Sequence, residues 1–264
     1  MRRNTALDDL LPRATPILRL GNTLAKLESL RPTGGVEDRA LGLWDAALAG
    51  TEHTRVRAHV SAGGALAAAA WAQARGLELN LVLSGPVTHE VRETLKLWGH
   101  PRSPLADAFD LPPLEGAGAI AEHLRTLGAE VSSELRAESL TPTVLVAPAG
   151  ALSPLLAIAA SLSNPGLRPI ALVAATPADV LPHLPHAPAL PAHVEHIAVT
   201  RAEAQAARAR LSRTHGLLVT HASAAAIEVA QRHAPELALA LVVANGEREF
   251  SLDPSGAPAA SPAP

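Results

Sequence analysis

The chain has 264 residues, of which 48% are hydrophobic and 18% charged, so it suits one large or two small domains with a sizeable core. A net charge of −3 and a pI near 6.5 exclude a basic nucleic-acid surface, and the absence of cysteine excludes disulfides and thiolate sites. No signal peptide and no unbroken apolar run of about 20 residues is found, which predicts a cytoplasmic protein with neither nucleic-acid nor membrane partners.

Apolar runs alternate with helical patterns along the chain. The predicted strands, in chain order, are 17–20, 24–27, 55–60, 77–83, 143–147, 169–174, 197–200, 217–219 and 239–244. The predicted helices are 38–49, 65–75, 88–98, 119–127, 152–162, 202–212 and 222–233. Between them we expect a polar lead-in (1–14), an irregular stretch (99–118), a Pro- and His-rich loop (176–192) and a disordered tail (254–264).

The strands are continuous apolar runs, which is typical of parallel sheets covered by helices on both faces. Ligands in such folds bind where the carboxyl end of a strand turns into a helix. The candidate ligand loops are therefore 32–39, 61–65, 147–153 and 220–224.

Five segments together resemble, in the correct order, the fold type II family of pyridoxal-phosphate enzymes, which includes cysteine synthase, cystathionine β-synthase and the tryptophan synthase β chain. The segments are TPILRLGNTLAKLESLRPTGGVEDRA, VSAGGALAAAAWAQARG, VLVAPAGALSPLLAIAASLSNPGLRPIALV, HGLLVTHASAAAIEVAQR and NGEREFSLD. The last resembles the closing strand of the family. The resemblance runs from about Thr15 to Asp253 and is strongest to cysteine synthase.

The resemblance implies a two-domain α/β fold of parallel sheets covered by helices, with the second domain reduced. Residues 15–50 and 143–253 would form the larger domain, and residues 51–142 the smaller, shortened one. It also implies pyridoxal phosphate as cofactor and a dimer as the assembly.

The residue in the family's Schiff-base lysine position is Glu37, and a carboxylate cannot form an imine. The phosphate loop is also altered. Pro148 removes one N–H donor, and the alanines on either side of Gly150 restrict the backbone geometry that exposes amides to an anion. These departures predict that pyridoxal phosphate has been lost.

The other cofactor positions are altered as well. Gly64 stands where the family has the asparagine that contacts the ring hydroxyl of the cofactor. Gly35 stands where the family has the serine before the lysine. Of the family's two serines near the ring nitrogen of the cofactor, only the one matched by Ser223 remains a serine. The predicted cofactor cleft consists of Gly35, Ser61, Gly63, Gly64, Ala149, Gly150, Ala151, Ser153 and Ser223.

Asp38 and Arg39 match the family, but an acidic first-turn residue and a salt-bridging arginine at a helix start explain them. The chain has two lysines. Lys26 is expected in a structural ion pair, and Lys96 on a helix face toward solvent. Neither is a good Schiff-base candidate.

Three further groups of residues could carry chemistry. His183, His186, His193 and His196 form two His-x-x-His pairs, but prolines between them prevent a helix, so a solvated loop is favoured over a metal site. Glu37 and Asp38, being adjacent, should point apart rather than form an acid–base pair. A hydrolase triad lacks defined partners, and His221, beside a cleft loop, is favoured as a polar strand-end residue.

Three hypotheses of function follow. The leading one is a cysteine synthase-like pseudoenzyme that still binds a small anionic or amino-acid-like ligand, or a protein partner. The first alternative is a β-replacement or β-elimination enzyme that acts on O-acetylserine-like amino acids. The second is a non-catalytic partner subunit of an active paralogue. The expected assembly is a homodimer or a heterodimer with such a paralogue.

Overall fold

In the computed structural model, residues 14–100, 105, 107–162, 164–185 and 189–252 are described. Nearly all of the predicted lead-in, the predicted tail and His186 lie outside these residues. No helix in the described part is long and apolar enough to cross a membrane.

The described strands form two sheets. They are β1 (Ile17–Leu20), β2 (Thr23–Leu27), β3 (Arg55–Val60), β4 (Glu78–Leu83), β5 (Phe109–Asp110), β6 (Val144–Pro148), β7 (Arg168–Ala174), β8 (Glu195–Val199) and β9 (Ala238–Val242). The larger sheet has the order β1-β2-β9-β6-β7-β8, and the smaller sheet has the order β4-β3-β5. Only the β1–β2 pair is antiparallel.

The helices are α1 (Gly42–Leu48), α2 (Ala62–Arg75), α3 (His89–Leu97), α4 (Ala117–His123), α5 (Ala129–Ala137), α6 (Leu152–Leu162), α7 (Arg201–His215) and α8 (His221–Arg232). Alanine-rich α2 ends at Gly76, whose φ of 67° is the left-handed conformation that glycine adopts without strain. A capping box of Thr200 and Glu203 starts α7.

Central strands β6 and β9 are buried at every position, as their continuous apolar sequences predict. Strand β2 is also buried at every position, although it contains Lys26. One core cluster lies between this sheet and α7 and α8, and a second lies on its other face against α5 and α6. The parallel sheets covered by helices are confirmed.

Three sequence assignments are wrong, and one helix was not predicted. Residues 217–219 form no strand, only a bridge between Val219 and Asn245. The predicted closing strand is instead a run of 3-10 turns, Gly246–Leu252. The predicted helix 38–49 is split, because a 3-10 turn (Val36–Ala40) precedes α1. Helix α5 follows α4 through a π-helical turn and was not predicted.

Candidate functional site

Glu37 lies on the 3-10 turn Val36–Ala40, beyond the carboxyl end of β9. The Val36 N–H donates to the carbonyl of Val243 at 2.9 Å, and Gly35 forms a bridge with Ala244. These bonds place the turn where a parallel sheet normally presents its ligand site.

The Glu37 side chain is nearly buried, with 13% of it exposed. Its Oε1 lies 3.6 Å from Nδ1 of His183, whose side chain is 6% exposed. Within the described residues, Oε2 is buried and has no hydrogen-bond partner. A buried carboxylate oxygen without a partner costs free energy, so it calls for an explanation.

His183 belongs to the plug segment, defined as residues 181–185, which closes the predicted cofactor cleft. The Gly150 N–H donates to the carbonyl of His183 at 3.4 Å, and the Ala174 N–H donates to the carbonyl of Pro185 at 3.1 Å. Leu181 and Leu184 are buried and anchor the segment in the core. The Gly150 amide, which the resemblance assigns to the cofactor phosphate, is thus engaged by the protein's own backbone.

Two glycines make room for the plug segment. A Cβ on Gly63 would lie 2.0 Å from both Glu37 Oε1 and His183 Cε1, and one on Gly150 would lie 2.9 Å from the Cα of His183. His183 itself has a φ of 61°, a left-handed conformation that costs a side-chain-bearing residue about 1–3 kcal/mol. The surrounding contacts hold it there nonetheless.

Arg248 reaches the cleft from the run of 3-10 turns Gly246–Leu252 and is 7% exposed. Its guanidinium donates to the carbonyl of Gly63 at 3.3 Å and to the carbonyl of Thr33. Burial lowers the pKa of Arg248, while the carboxylates of Glu37, Asp38 and Glu249 oppose that shift. Glu37 therefore lies between the cation of Arg248 and the imidazole of His183.

His221 and Glu249 form a second buried pair beside the cleft. Both the backbone N–H and the ring Nδ1 of His221 lie 2.7 Å from Glu249 Oε2, and neither side chain is more than 1% exposed. The other oxygen, Glu249 Oε1, has no partner among the described residues. The favoured interpretation of His221 as a polar strand-end residue is wrong, because this histidine is the first residue of α8.

The remaining predicted cleft residues have different environments. Ser61 is exposed, and its side chain does not cap α2. A Cβ on Gly64 would face Val60 and Leu114 rather than the cleft. Ala149, Ala151 and Ser153 are buried at the start of α6. The hydroxyl of Ser223 lies 2.8 Å from that of Thr220 and accepts from the Val243 N–H at 3.1 Å, so it serves the fold.

The residues present do not fit pyridoxal phosphate. A gap of about 10 Å³, bordered by Gly63, His183 and Arg248, lies beside the plug segment and holds about one water molecule. Lys26 is fully buried and bonded to Glu130 and Glu134, and Lys96 lies on α3 paired with Glu93. No lysine therefore stands at the cleft, and the cofactor roles of the predicted residues stay predictions.

The structural interpretation of Asp38 and Arg39 is confirmed. Asp38 accepts a hydrogen bond from the Thr33 N–H at 2.9 Å. Arg39 binds Glu28 through two nitrogens, each at 2.8 Å, and Glu130 at 2.6 Å. We call Arg39, Glu28, Glu130 and Lys26 the ion cluster. Glu37 and Asp38 point to different partners, as expected for adjacent residues.

His183, Arg248 and Glu249 were missed as cleft residues. His183 was expected in a solvated loop, and that expectation is wrong for the plug segment, although His193 and His196 are exposed. Two leucines in this Pro-rich stretch, Leu181 and Leu184, were the sequence signal that the loop packs against the core, where both are buried. No group of three or more metal-ligating side chains occurs within the described ranges.

No family model matches the chain, and no curated protein matches it. Solved structures do match. O-ureido-L-serine synthase has a TM-score of 0.74 at 20% identity, covering 92% of each chain. A lysine-to-alanine mutant of that synthase with O-ureido-L-serine bound has a TM-score of 0.73 at 20% identity, covering 92% of this chain and 91% of the mutant.

The O-acetylserine-dependent cystathionine β-synthase from Helicobacter pylori has a TM-score of 0.73 at 22% identity, covering 93% of this chain and 96% of that one. At such identities the likeness shows the fold. It is the fold type II architecture that the sequence resemblance implied, and this expectation is confirmed.

Proposed function

We propose that this chain is a fold type II pseudoenzyme, which carries out no pyridoxal phosphate chemistry and has a binding role. One observation carries the proposal: Glu37 lies beneath a plug segment that engages Gly150 and fills the space between Gly63 and Gly150. A carboxylate in the place of the lysine would also repel the anionic phosphate of the cofactor.

The proposal is tested by incubating the purified protein with pyridoxal phosphate, reducing with borohydride and locating pyridoxyl adducts by mass spectrometry. We expect no adduct at Lys26, because it is buried in the ion cluster. Exposed Lys96 is open to adventitious labelling, so the Lys96→Arg variant is the matched control. A stoichiometric adduct that persists in Lys96→Arg would overturn the proposal.

The alternative is an enzyme that replaces or eliminates a β-substituent. The likeness to O-ureido-L-serine synthase and to the O-acetylserine-dependent cystathionine β-synthase favours testing it. The assay supplies O-acetyl-L-serine with sulfide or homocysteine, with and without added pyridoxal phosphate. Cysteine or cystathionine formed above the rate of a boiled sample would favour this enzyme and contradict the pseudoenzyme.

A partner role is the remaining alternative, in which the chain pairs with itself or with an active paralogue in the cytoplasm. Light scattering of the purified chain measures self-association. Co-expression with an intact paralogue from the same genome, followed by affinity purification of one tagged chain, measures the mixed assembly. A chain that stays monomeric and recovers no paralogue contradicts this role.

A further inference from the structure

The plug segment is built around a tight turn of residues 181–184. The Leu184 N–H donates to the carbonyl of Leu181 at 2.9 Å, and the two residues form an isolated bridge. Pro182 takes the second position of the turn, and His183 takes the third with a φ of 61°. This is the pattern of a type II turn, whose third position favours glycine or asparagine. A histidine held in that strained conformation indicates that its side chain makes a compensating contact.

The compensating contact is the placement of the His183 imidazole between Gly63 and Glu37. A Cβ on Gly63 would lie 2.0 Å from Cε1 and 2.7 Å from Nε2 of the ring, so the ring lies directly against the start of α2. On its other side, Nδ1 faces Glu37 Oε1. With 6% of the side chain exposed, the ring is enclosed. The cleft therefore already holds an imidazole, and the absence of a side chain on Gly63 makes the room for it.

The plug segment satisfies its surroundings only in part. The 3.6 Å between Nδ1 of His183 and Oε1 of Glu37 exceeds the roughly 2.7–3.2 Å of a hydrogen bond. Within the part of the chain that the structure describes, Glu37 Oε2 has no hydrogen-bond partner. The bond from the Gly150 N–H to the His183 carbonyl is also long, at 3.4 Å. A free ring can approach Glu37 more closely than His183 does, because it carries no strained backbone.

We propose that the cleft is an imidazole-binding site that the chain itself fills, with His183 as an intramolecular ligand and residues 181–185 as an autoinhibitory contact. A free ligand that carries an imidazole ring takes the same place between Gly63 and Glu37 when the plug segment opens. The inference rests on the binding role proposed above and names a ligand class for it.

The first experiment removes the ring and supplies it again from solution. His183→Gly deletes the imidazole and suits the positive φ of the turn, and circular dichroism checks that the variant folds. Calorimetry of the full chain with imidazole, without pyridoxal phosphate, should show at least tenfold tighter binding by His183→Gly than by the wild type. The tethered ring of the wild type competes at a high effective concentration.

His193→Gly is the matched control, because it removes a histidine from an exposed turn, and it should bind imidazole as the wild type does. Equal binding by the wild type and His183→Gly, or no binding by either, would overturn the site.

A second variant locates the bound imidazole. Glu37→Ala in the His183→Gly background removes the carboxylate that faces the ring, so we expect at least tenfold weaker imidazole binding. Glu195→Ala in the same background removes an exposed carboxylate on β8 and should leave the affinity unchanged. Affinity that survives Glu37→Ala would place imidazole elsewhere and overturn the site.

The autoinhibitory contact is tested by expelling the ring while the sequence of the turn stays intact. Gly63→Ala places a Cβ 2.0 Å from the ring, so the imidazole has to leave. The N–H groups of Gly150 and Ala174 donate to plug-segment carbonyls, and we expect their hydrogen exchange to become at least tenfold faster. Gly64→Ala, one position further along α2, is the control with unchanged exchange. Slow exchange retained in Gly63→Ala would show that the ring does not hold the plug segment.

The outcome is distinguishable from the fate of the cofactor. Imidazole binding by His183→Gly that depends on Glu37 supports the site whether or not a pyridoxyl adduct forms. Absence of that binding overturns the site, and only an adduct or product formation overturns the pseudoenzyme.

Discussion

Glu37 and Arg39 lie two residues apart on one 3-10 turn, yet their surroundings differ. Arg39 is 2% exposed and is bonded to Glu28 and Glu130 through nitrogens at 2.6 to 2.8 Å. Glu37 has one oxygen 3.6 Å from a histidine and the other without a partner in the described structure. The arginine is part of a completed buried network, and the glutamate is not.

This difference distinguishes a residue that stabilises the fold, Arg39, from a residue that departs from the family pattern, Glu37. The ion cluster joins β2, the 3-10 turn and α5, so its loss would release three elements. The cleft cluster of Glu37, His183 and Arg248 includes a left-handed histidine and one carboxylate oxygen, Glu37 Oε2, without a partner in the described structure. Such strain and unsatisfied groups gather at functional sites. In this turn the two residues that match the family, Asp38 and Arg39, are the ones that form structural contacts.

The largest expected effect is on the ion cluster. Arg39→Met leaves the carboxylate of Glu28, which is 0% exposed, without its cation. Removing one partner of a buried pair costs about 3–5 kcal/mol, so we expect the free energy of unfolding in urea to fall by that amount. Arg55→Met breaks the exposed pair with Glu78 and should cost less than about 1 kcal/mol. Equal losses would mean that the cluster does not stabilise the fold.

The next effect is a pH dependence. Burial, and then the cation of Arg39, lowers the pKa of His123 from 6.5 to about 3. Between these values the unfolded chain binds more protons than the folded one, so stability falls as pH falls. From pH 7 to 5 this loss amounts to about 2 kcal/mol.

The dependence is measured by urea unfolding at pH 7 and pH 5. His123→Leu should flatten it, whereas His196→Leu, at an exposed position of β8, should not. Glu130 titrates below this window, because hydrogen bonds from Arg39 and Lys26 outweigh burial and lower its pKa to about 2. A wild-type slope retained in His123→Leu would assign the loss to other groups.

The fold was predictable from the sequence because alternating apolar runs and five ordered segments each carry local information. The Lys26 and Arg39 ion pairs were predictable as types of contact, but Glu130 was not foreseen as the shared partner, since α5 was not recognised. His183 and Arg248 enter the cleft through long-range packing, from positions 146 and 211 residues beyond Glu37. Neither the hydrophobic periodicity nor the family motifs predict such long-range contacts.

A smaller effect tests the plug segment. Gly150→Ala would bring a Cβ within 2.9 Å of the His183 backbone, which cannot rotate away as a side chain can. We expect a loss of about 1 kcal/mol by overpacking, with faster hydrogen exchange in residues 181–185. Gly64→Ala meets only side chains at 3.3 Å or more inside α2, and helix propensity offsets the crowding. If Gly150→Ala changed neither the free energy of unfolding nor the hydrogen exchange of residues 181–185, the plug segment would be loosely packed.

The smallest effect, on cofactor chemistry, is expected from Glu37→Lys. The new ammonium would face Arg248 and His183, the gap of about 10 Å³ would remain, and the Gly150 amide would still bind the His183 carbonyl. We therefore expect no borohydride-stable pyridoxyl adduct at residue 37, measured by mass spectrometry in a Lys96→Arg background. Adding His183→Gly removes the imidazole and the strained φ, so an adduct confined to this combination would identify the plug segment as the barrier. An adduct in Glu37→Lys with His183 intact would contradict the closed cleft, because the rest of the pocket would then admit the cofactor.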